Sequence, residues 1–430
     1  MREPGPEGFG QRMRTMTGAR MRLFALAAAA LTAAAAPVTW AVKAQAETPE
    51  RVVVTASDAR AARGTIVSAE AVAGMTRDEV VQYLAQAGAD TAGARHGLDA
   101  YRIVYRTIAP DKRPTTAGGL VVLPRDGSRD LRVVAYEHGT MISKAQAPSV
   151  QPQQRADAFL FGSAGYAAVA PDYLGLGLGP GRHPYGDVSS EVTASADLLR
   201  AARTFAAKQQ RRLRSRVLVS GFSQGGAAAM GLARALQRGQ VPYYRLAAVA
   251  PISGAYDVQN AEIPAALSGD SLDPRRATLY FAYSLTALNR IHHFYEQPSE
   301  VFNEPYAGIV EDLFDGEHTD RDVAMALPAT PQELLTPRFI AWASEPTGNL
   351  LNALRSNDTT CTDWKPRVPV RLYAATGDKD VSILNAKHCV AALRANGVEA
   401  PLTDFGDVPH GASKRAALPE ILTWFDGLKP

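Results

Sequence analysis

The chain has 430 residues, 46% of them apolar and only 7% aromatic, with a formal net charge of +3. That length and apolar content suit one large globular domain carrying an insertion, and no run after residue 50 approaches the length of an apolar membrane span. No basic stripe interleaved with aromatics is present, so nucleic acid is excluded as a partner. The basic cluster "KQQRRLRSR" (208–216) reads as the solvated end of a helix.

At the start, Arg12, Arg14, Arg20 and Arg22 precede the alanine-rich run "LFALAAAALTAAAAPV", and "AVKAQA" follows with small residues Ala44 and Ala46. This is the pattern of a secretory signal peptide cleaved after Ala46, with an uncleaved anchor as the alternative. It places the mature protein in the periplasm or outside the cell. Losing residues 1–46 removes six basic and two acidic residues, leaving 40 against 41 and a net charge of −1. Cys361 and Cys389 are the only cysteines, and an even count in an exported chain points to a disulfide.

Residues 47–100 form an N-terminal lead-in and a helix. The lead-in is polar and alanine-rich to residue 64. In "TRDEVVQYLAQAG", Thr76 and Glu79 have capping-box spacing, and Val80, Val81, Leu84 and Ala87 recur at helical intervals. From residue 101 a strand-helix rhythm begins. "YRIVYRTI" and "GGLVVLP" read as an antiparallel pair. "LRVVAYEHG", "YAAVAPD", "RVLVSG", "LAAVAPISG" and "PVRLYAATG" are continuously apolar, as buried parallel strands are. The helical stretches between them predict a doubly wound, mostly parallel α/β sheet with right-handed crossovers. The core spans residues 101–257 and 367–430. Between these parts, 258–366 is far too long for a loop and reads as a helical cap over the sheet's carboxyl edge.

"GFSQG" (221–225) follows an apolar strand and opens an alanine-rich helix, the context of a nucleophile elbow with Ser223 at its tip. A serine needs a base, and the base needs an orienting carboxylate. In the chain order serine, acid, histidine, only His388 and His410 lie beyond the acid candidates. His388 falls within a helix, whereas His410 sits in "FGDVPHGAS", a loop before the terminal helix "LPEILTWF". Asp378 and Asp380 both end the preceding strand in "YAATGDKDVSI". Asp380 is favoured, three residues before an apolar Ile383 that turns back into the fold. The oxyanion hole is expected from the N–H groups of Gln224 and of Thr140 in "YEHGT", with Met141 the alternative to Thr140. His138 precedes the serine and reads as a loop residue holding the oxyanion turn. "YLGLGLGPG" (173–181) reads as a loop facing the site. No H-E-x-x-H, cysteine ligand set or helix-opening G-x-G-x-x-G is present, so neither metal nor cofactor is expected.

Together "YEHGT", "APDYLGLG", "HPYGD", "SADLLRAAR", "GFSQGG", "APISGAYD" and the "GDKDVS" to "VPHG" pair resemble the α/β-hydrolase superfamily. More narrowly, they resemble the secretory lipase family and its bacterial relatives, from about residue 101 to the C-terminus. The resemblance implies Ser223 as nucleophile, Asp380 as acid, His410 as base and residues 258–366 as a lid. It also implies hydrolysis of carboxylic esters, by an esterase or a lipase. The expected partner is a small-molecule or lipid ester, with transient contact between the cap and a lipid interface. A serine peptidase on the same scaffold and a non-catalytic binding member are the alternatives.

Overall fold

The computed structural model describes residues 62–269 and 271–428, so the leader expected over residues 1–46 lies outside the described residues. The described strands are β1 (Ile66–Met75), β2 (Leu98–Ile108), β3 (Pro114–Pro124), β4 (Asp130–Glu137), β5 (Ala167–Tyr173), β6 (Arg212–Phe222), β7 (Arg245–Ile252), β8 (Leu372–Ala374) and β9 (Leu402–Asp404). They form a single sheet in the order β1-β2-β3-β5-β4-β6-β7-β8-β9. The pairs β1–β2, β2–β3 and β3–β5 are antiparallel, and every pair from β5 to β9 is parallel.

The apolar strands are continuous because the sheet is covered on both faces. Val133, Ala135, Val217, Val219 and Val249 join one hydrophobic cluster. Their neighbours in sequence, Val134, Tyr136, Leu218, Ala248 and Ala250, join a cluster on the other face. Helices α1 (Arg77–Gln86) and α2 (Ala156–Ser163) pack on the second face, while α3 (Val188–Lys208) and α4 (Gln224–Gln237) pack on the first. Thr76 and Glu79 form both halves of the capping box on α1.

Between β7 and β8 the chain builds the helical cap. It starts as a π-helical turn (Val258–Glu262) and continues through α5 (Ile263–Ser268), α6 (Pro274–His292), α7 (Val310–Leu313), α8 (Asp320–Ala326), α9 (Pro331–Leu334), α10 (Pro337–Ser344) and α11 (Gly348–Asp358). Three of these start with an N-cap side chain followed by proline: Asp273-Pro274, Thr330-Pro331 and Thr336-Pro337. The cap has its own apolar cluster, including Phe281, Tyr283, Phe302, Phe314 and Phe339. The chain then returns through α12 (Ile383–Ala395) and α13 (His410–Gly427). Cys361, in the last stretch of the 258–366 insertion after α11, is disulfide-bonded to Cys389 on α12, with 5.2 Å between their Cα atoms.

Three local features differ from the sequence reading. Strand β1 is not anticipated, because its run "IVSAEAVAGM" is alanine-rich and alternates weakly; it pairs along β2 as an edge strand. The basic cluster 208–216 is not a helix end. It passes from the last residue of α3 into β6, where Arg212 and Arg214 each sit 2.9 Å from Asp130 of the adjoining strand. His410 is the first residue of α13 rather than part of a free loop.

Candidate active site

Ser223 stands between β6 and α4 with φ 59° and ψ −123°, a backbone conformation that costs an L-residue energy and is kept only where the surroundings enforce it. The glycines of G-x-S-x-G follow from the crowding. A Cβ on Gly221 would lie 2.1 Å from the Gly225 carbonyl oxygen, and one on Gly225 would lie 2.1 Å from that of Glu137. Ser223 N donates to Ile252 O on β7, which fixes the tip of the turn to the neighbouring strand.

His410 is held at the start of α13, 9% exposed, with its ring 4.4 Å from that of Phe222. Ser413 Oγ donates to the His410 carbonyl and shares a hydrogen bond with Ser253 Oγ at the end of β7. The partner of the imidazole is Asp378, whose Oδ2 lies 2.6 Å from His410 Nδ1. Its other oxygen, Oδ1, accepts from the N–H groups of Asp380 and Val381. His410 Nε2 is buried without a hydrogen-bond partner among the described residues, and it shares a cavity wall with Ser223.

The structure corrects the acid expected at Asp380. That carboxylate accepts from Tyr280 Oη of α6 at 3.0 Å and lies 3.8 Å from Arg276, so it ties the loop to the cap. Val381, 8% exposed, lines the cavity between core and cap, and Ile383 packs against the main core cluster. Asp378 is 4% exposed and reaches His410 from the same strand-end loop.

Gln224 is the first residue of α4, and its N–H is among the first-turn donors that have no intrahelical acceptor. Thr140 lies in the loop after β4 and lines the same cavity as Ser223 and His410. Its Oγ1 shares a hydrogen bond of 2.9 Å with Tyr185 Oη, and the next carbonyl, Met141 O, accepts from Tyr283 Oη of the cap. His138 is buried with backbone carbonyls facing both ring nitrogens, Gly139 O at 2.7 Å and Asp172 O at 3.2 Å. Burial lowers its pKa below the ordinary histidine value, against the pull of the two carbonyls, and the ring braces the loop. His388, the other candidate base, faces away to Asp257 at 2.7 Å.

Buried acids cluster behind the elbow, and nothing in the sequence marks them as such. Glu137 and Glu191 are each pushed up to about 8 by desolvation. Ser195 Oγ lies 2.8 Å from both the Glu191 carbonyl and Glu137 Oε2. A hydroxyl has one proton to give, so Ser195 is shared between these two acceptors.

Ser223 also lines a second cavity, mostly apolar, that encloses about 780 Å³ of empty space with its open side included. The core side is made by Gln224, Ala227 and Tyr185, the cap side by Ile263, Ala266, Ala277, Tyr280 and Phe281.

Several solved structures resemble this one. A protein of Legionella pneumophila assigned as a hydrolase aligns with a TM-score of 0.77 at 26% identity, over 84% of this chain and 98% of that one. The rice cell wall degrading esterase LipA from Xanthomonas oryzae aligns with a TM-score of 0.76 at 28% identity, over 86% and 99%. Candida antarctica lipase A aligns with a TM-score of 0.63 at 15% identity, over 86% and 84%, a likeness of fold alone. No family model matches the sequence, and no curated protein does.

Proposed function

We propose that this chain, a carboxylic ester hydrolase of the α/β-hydrolase superfamily, works through an acyl-enzyme formed on Ser223. His410 Nε2 takes the serine proton as Oγ attacks the ester carbonyl. Asp378 keeps the proton of the imidazole on Nδ1 and stabilises the imidazolium that forms. The N–H groups of Gln224 and Thr140 receive the oxyanion. His410 then protonates the departing alcohol, and water, activated by the same imidazole, releases the acid.

One observation carries this reading. A buried imidazole is bound through Nδ1 to a buried carboxylate, while its free nitrogen shares a cavity wall with a serine held at φ 59°. Since His410 must deliver a proton to the alcohol, the alcohol lies on its side of Ser223. The acyl group then lies on the other side, in the apolar cavity between core and cap.

The leader pattern in residues 1–46 supports a secreted or periplasmic location. Met325 and Ile309, exposed apolar side chains of the cap, support a transient contact with a lipid interface. The test is a chain-length series of p-nitrophenyl esters beside peptide anilides. Ester turnover that is abolished in Ser223→Ala, with anilides untouched, is the expected result. Cleavage of anilides alone would make the protein a peptidase and overturn the proposal.

A further inference from the structure

The segment "HPY" has no part in the chemistry above, yet two of its side chains reach the two residues assigned to the oxyanion hole. His183 is 3% exposed. Its Nδ1 lies 2.9 Å from the Leu174 carbonyl, to which it can only donate, so Nε2 carries the lone pair. Gln224 Nε2 lies 2.8 Å from that lone pair and donates to it. The other amide proton of Gln224 goes to Glu191 Oε1 at 2.6 Å. The side chain next to the nucleophile is therefore gripped from two sides. Two residues further on, Tyr185 Oη bonds Thr140 Oγ1 at 2.9 Å. The Tyr185 ring is itself stacked on Tyr283 at 4.2 Å with 7° between planes, and Tyr283 stacks on Phe314 at 4.4 Å.

Resting on the mechanism proposed above, we infer that His183 and Tyr185 are positioning residues that aim the two oxyanion donors from one turn. The two donors come from unrelated parts of the chain. Gln224 opens a helix, whereas Thr140 sits in a loop without regular structure. Stabilisation of a developing charge requires both N–H groups to be held within about 0.5 Å of the productive geometry. A single rigid turn bonded to both residues fixes their separation, which neither a helix nor a loop does alone. His183 suits the role because burial holds its pKa down to about 3, so the lone pair that accepts from Gln224 stays unprotonated across the working range.

The test compares Tyr185→Phe, Thr140→Val, their double variant and His183→Phe. Active molecules are counted by titration with a p-nitrophenyl phosphonate, and kcat and KM are measured on a p-nitrophenyl ester. Each single variant is expected to lose roughly tenfold in kcat per titrated site with KM nearly unchanged, because aim is needed only as the charge develops. The double variant should lose no more than the worse single one, since both changes remove the same bond. Thr140→Ser, which keeps the oxygen, should recover much of the kcat lost in Thr140→Val, and that rescue distinguishes loss of the bond from impaired folding. Parental kcat in both Tyr185→Phe and His183→Phe, or additive losses in the cycle, would overturn the inference. Ser223→Ala separates the two levels: activity that survives there sinks the mechanism itself. An inert Ser223→Ala beside fully active Tyr185→Phe and His183→Phe sinks only the positioning role.

Discussion

The sheet and the cap meet at Ser223 but are built by different rules. Every group with a part in the proposed bond-making, Ser223, Asp378, His410, Gln224 and Thr140, follows a sheet strand, in a loop or at a helix start. Each is placed by backbone that the sheet holds. The cap lends walls: Ile263, Ala266, Ala277, Tyr280 and Phe281 face the cavity. Its helices are mostly short, and its core is held by large aromatic rings rather than by a repeating pattern. In the proposed mechanism the chemistry is thus carried by residues that the sheet places, and the choice of substrate by walls that the cap lends.

Exchanging the two aspartates tests that division most severely. Asp378→Asn should lower kcat by about 10⁴, the scale expected when the base loses its orienting carboxylate. Asp380→Asn, which loosens only a tie to Tyr280 and Arg276, should cost less than about tenfold. Steady-state kinetics decide it, and similar losses would erase the line between catalytic core and cap.

Next in size is the covalent link between the two regions. Replacing both Cys361 and Cys389 by serine opens a bridge between residues 28 apart. It should destabilise the fold by about 3–4 kcal/mol in the chain-entropy treatment. One cooperative melt at lower temperature would mean that core and cap unfold together. A new early transition would make the cap a separate unit.

A smaller effect is expected in the cavity. Ala266→Phe on α5 should cut kcat/KM on octanoyl relative to acetyl esters by roughly tens-fold, leaving acetyl turnover close to parental. An equal loss on both esters would mean that this wall does not select the acyl chain.

The smallest effect lies beneath the elbow. Glu137 and Glu191 titrate near 8 in the fold, against an ordinary carboxyl value of 4.5. Between those limits the folded chain holds protons that the unfolded chain has released. Their contribution to stability is therefore greatest at low pH and declines as pH rises toward 8. Urea unfolding at pH 5 and pH 8.5 should show the decline, flattened in the Glu137→Gln, Glu191→Gln double variant. An unchanged slope would mean that these acids are ionised in the fold.

Much of the core is legible in the chain because its signals are local. Strands covered on both faces must be continuously apolar, and a serine elbow must be flanked by residues without a Cβ. Strand β1 is harder to read, since an edge strand need satisfy only one neighbour, and its alanines offer little contrast between faces. The carboxylate that meets His410 is hard to read from the chain for a related reason. Asp378 and Asp380 lie on one strand-end loop, and spacing alone does not say which carboxylate turns toward the histidine.

By itself the sequence determined the strand-helix alternation, the serine at a glycine-flanked turn, the histidine near the end of the chain and the presence of a long helical insertion. Each of these is a property of neighbouring residues, governed by steric and hydrophobic periodicity. Only the tertiary structure decided that Asp378 rather than Asp380 meets His410 and that His183 and Tyr185 grip Gln224 and Thr140. It alone placed two buried glutamic acids behind the nucleophile. Those pairings join residues 32 to 45 positions apart. Their partners are chosen by burial and direction in space, which a linear pattern does not carry.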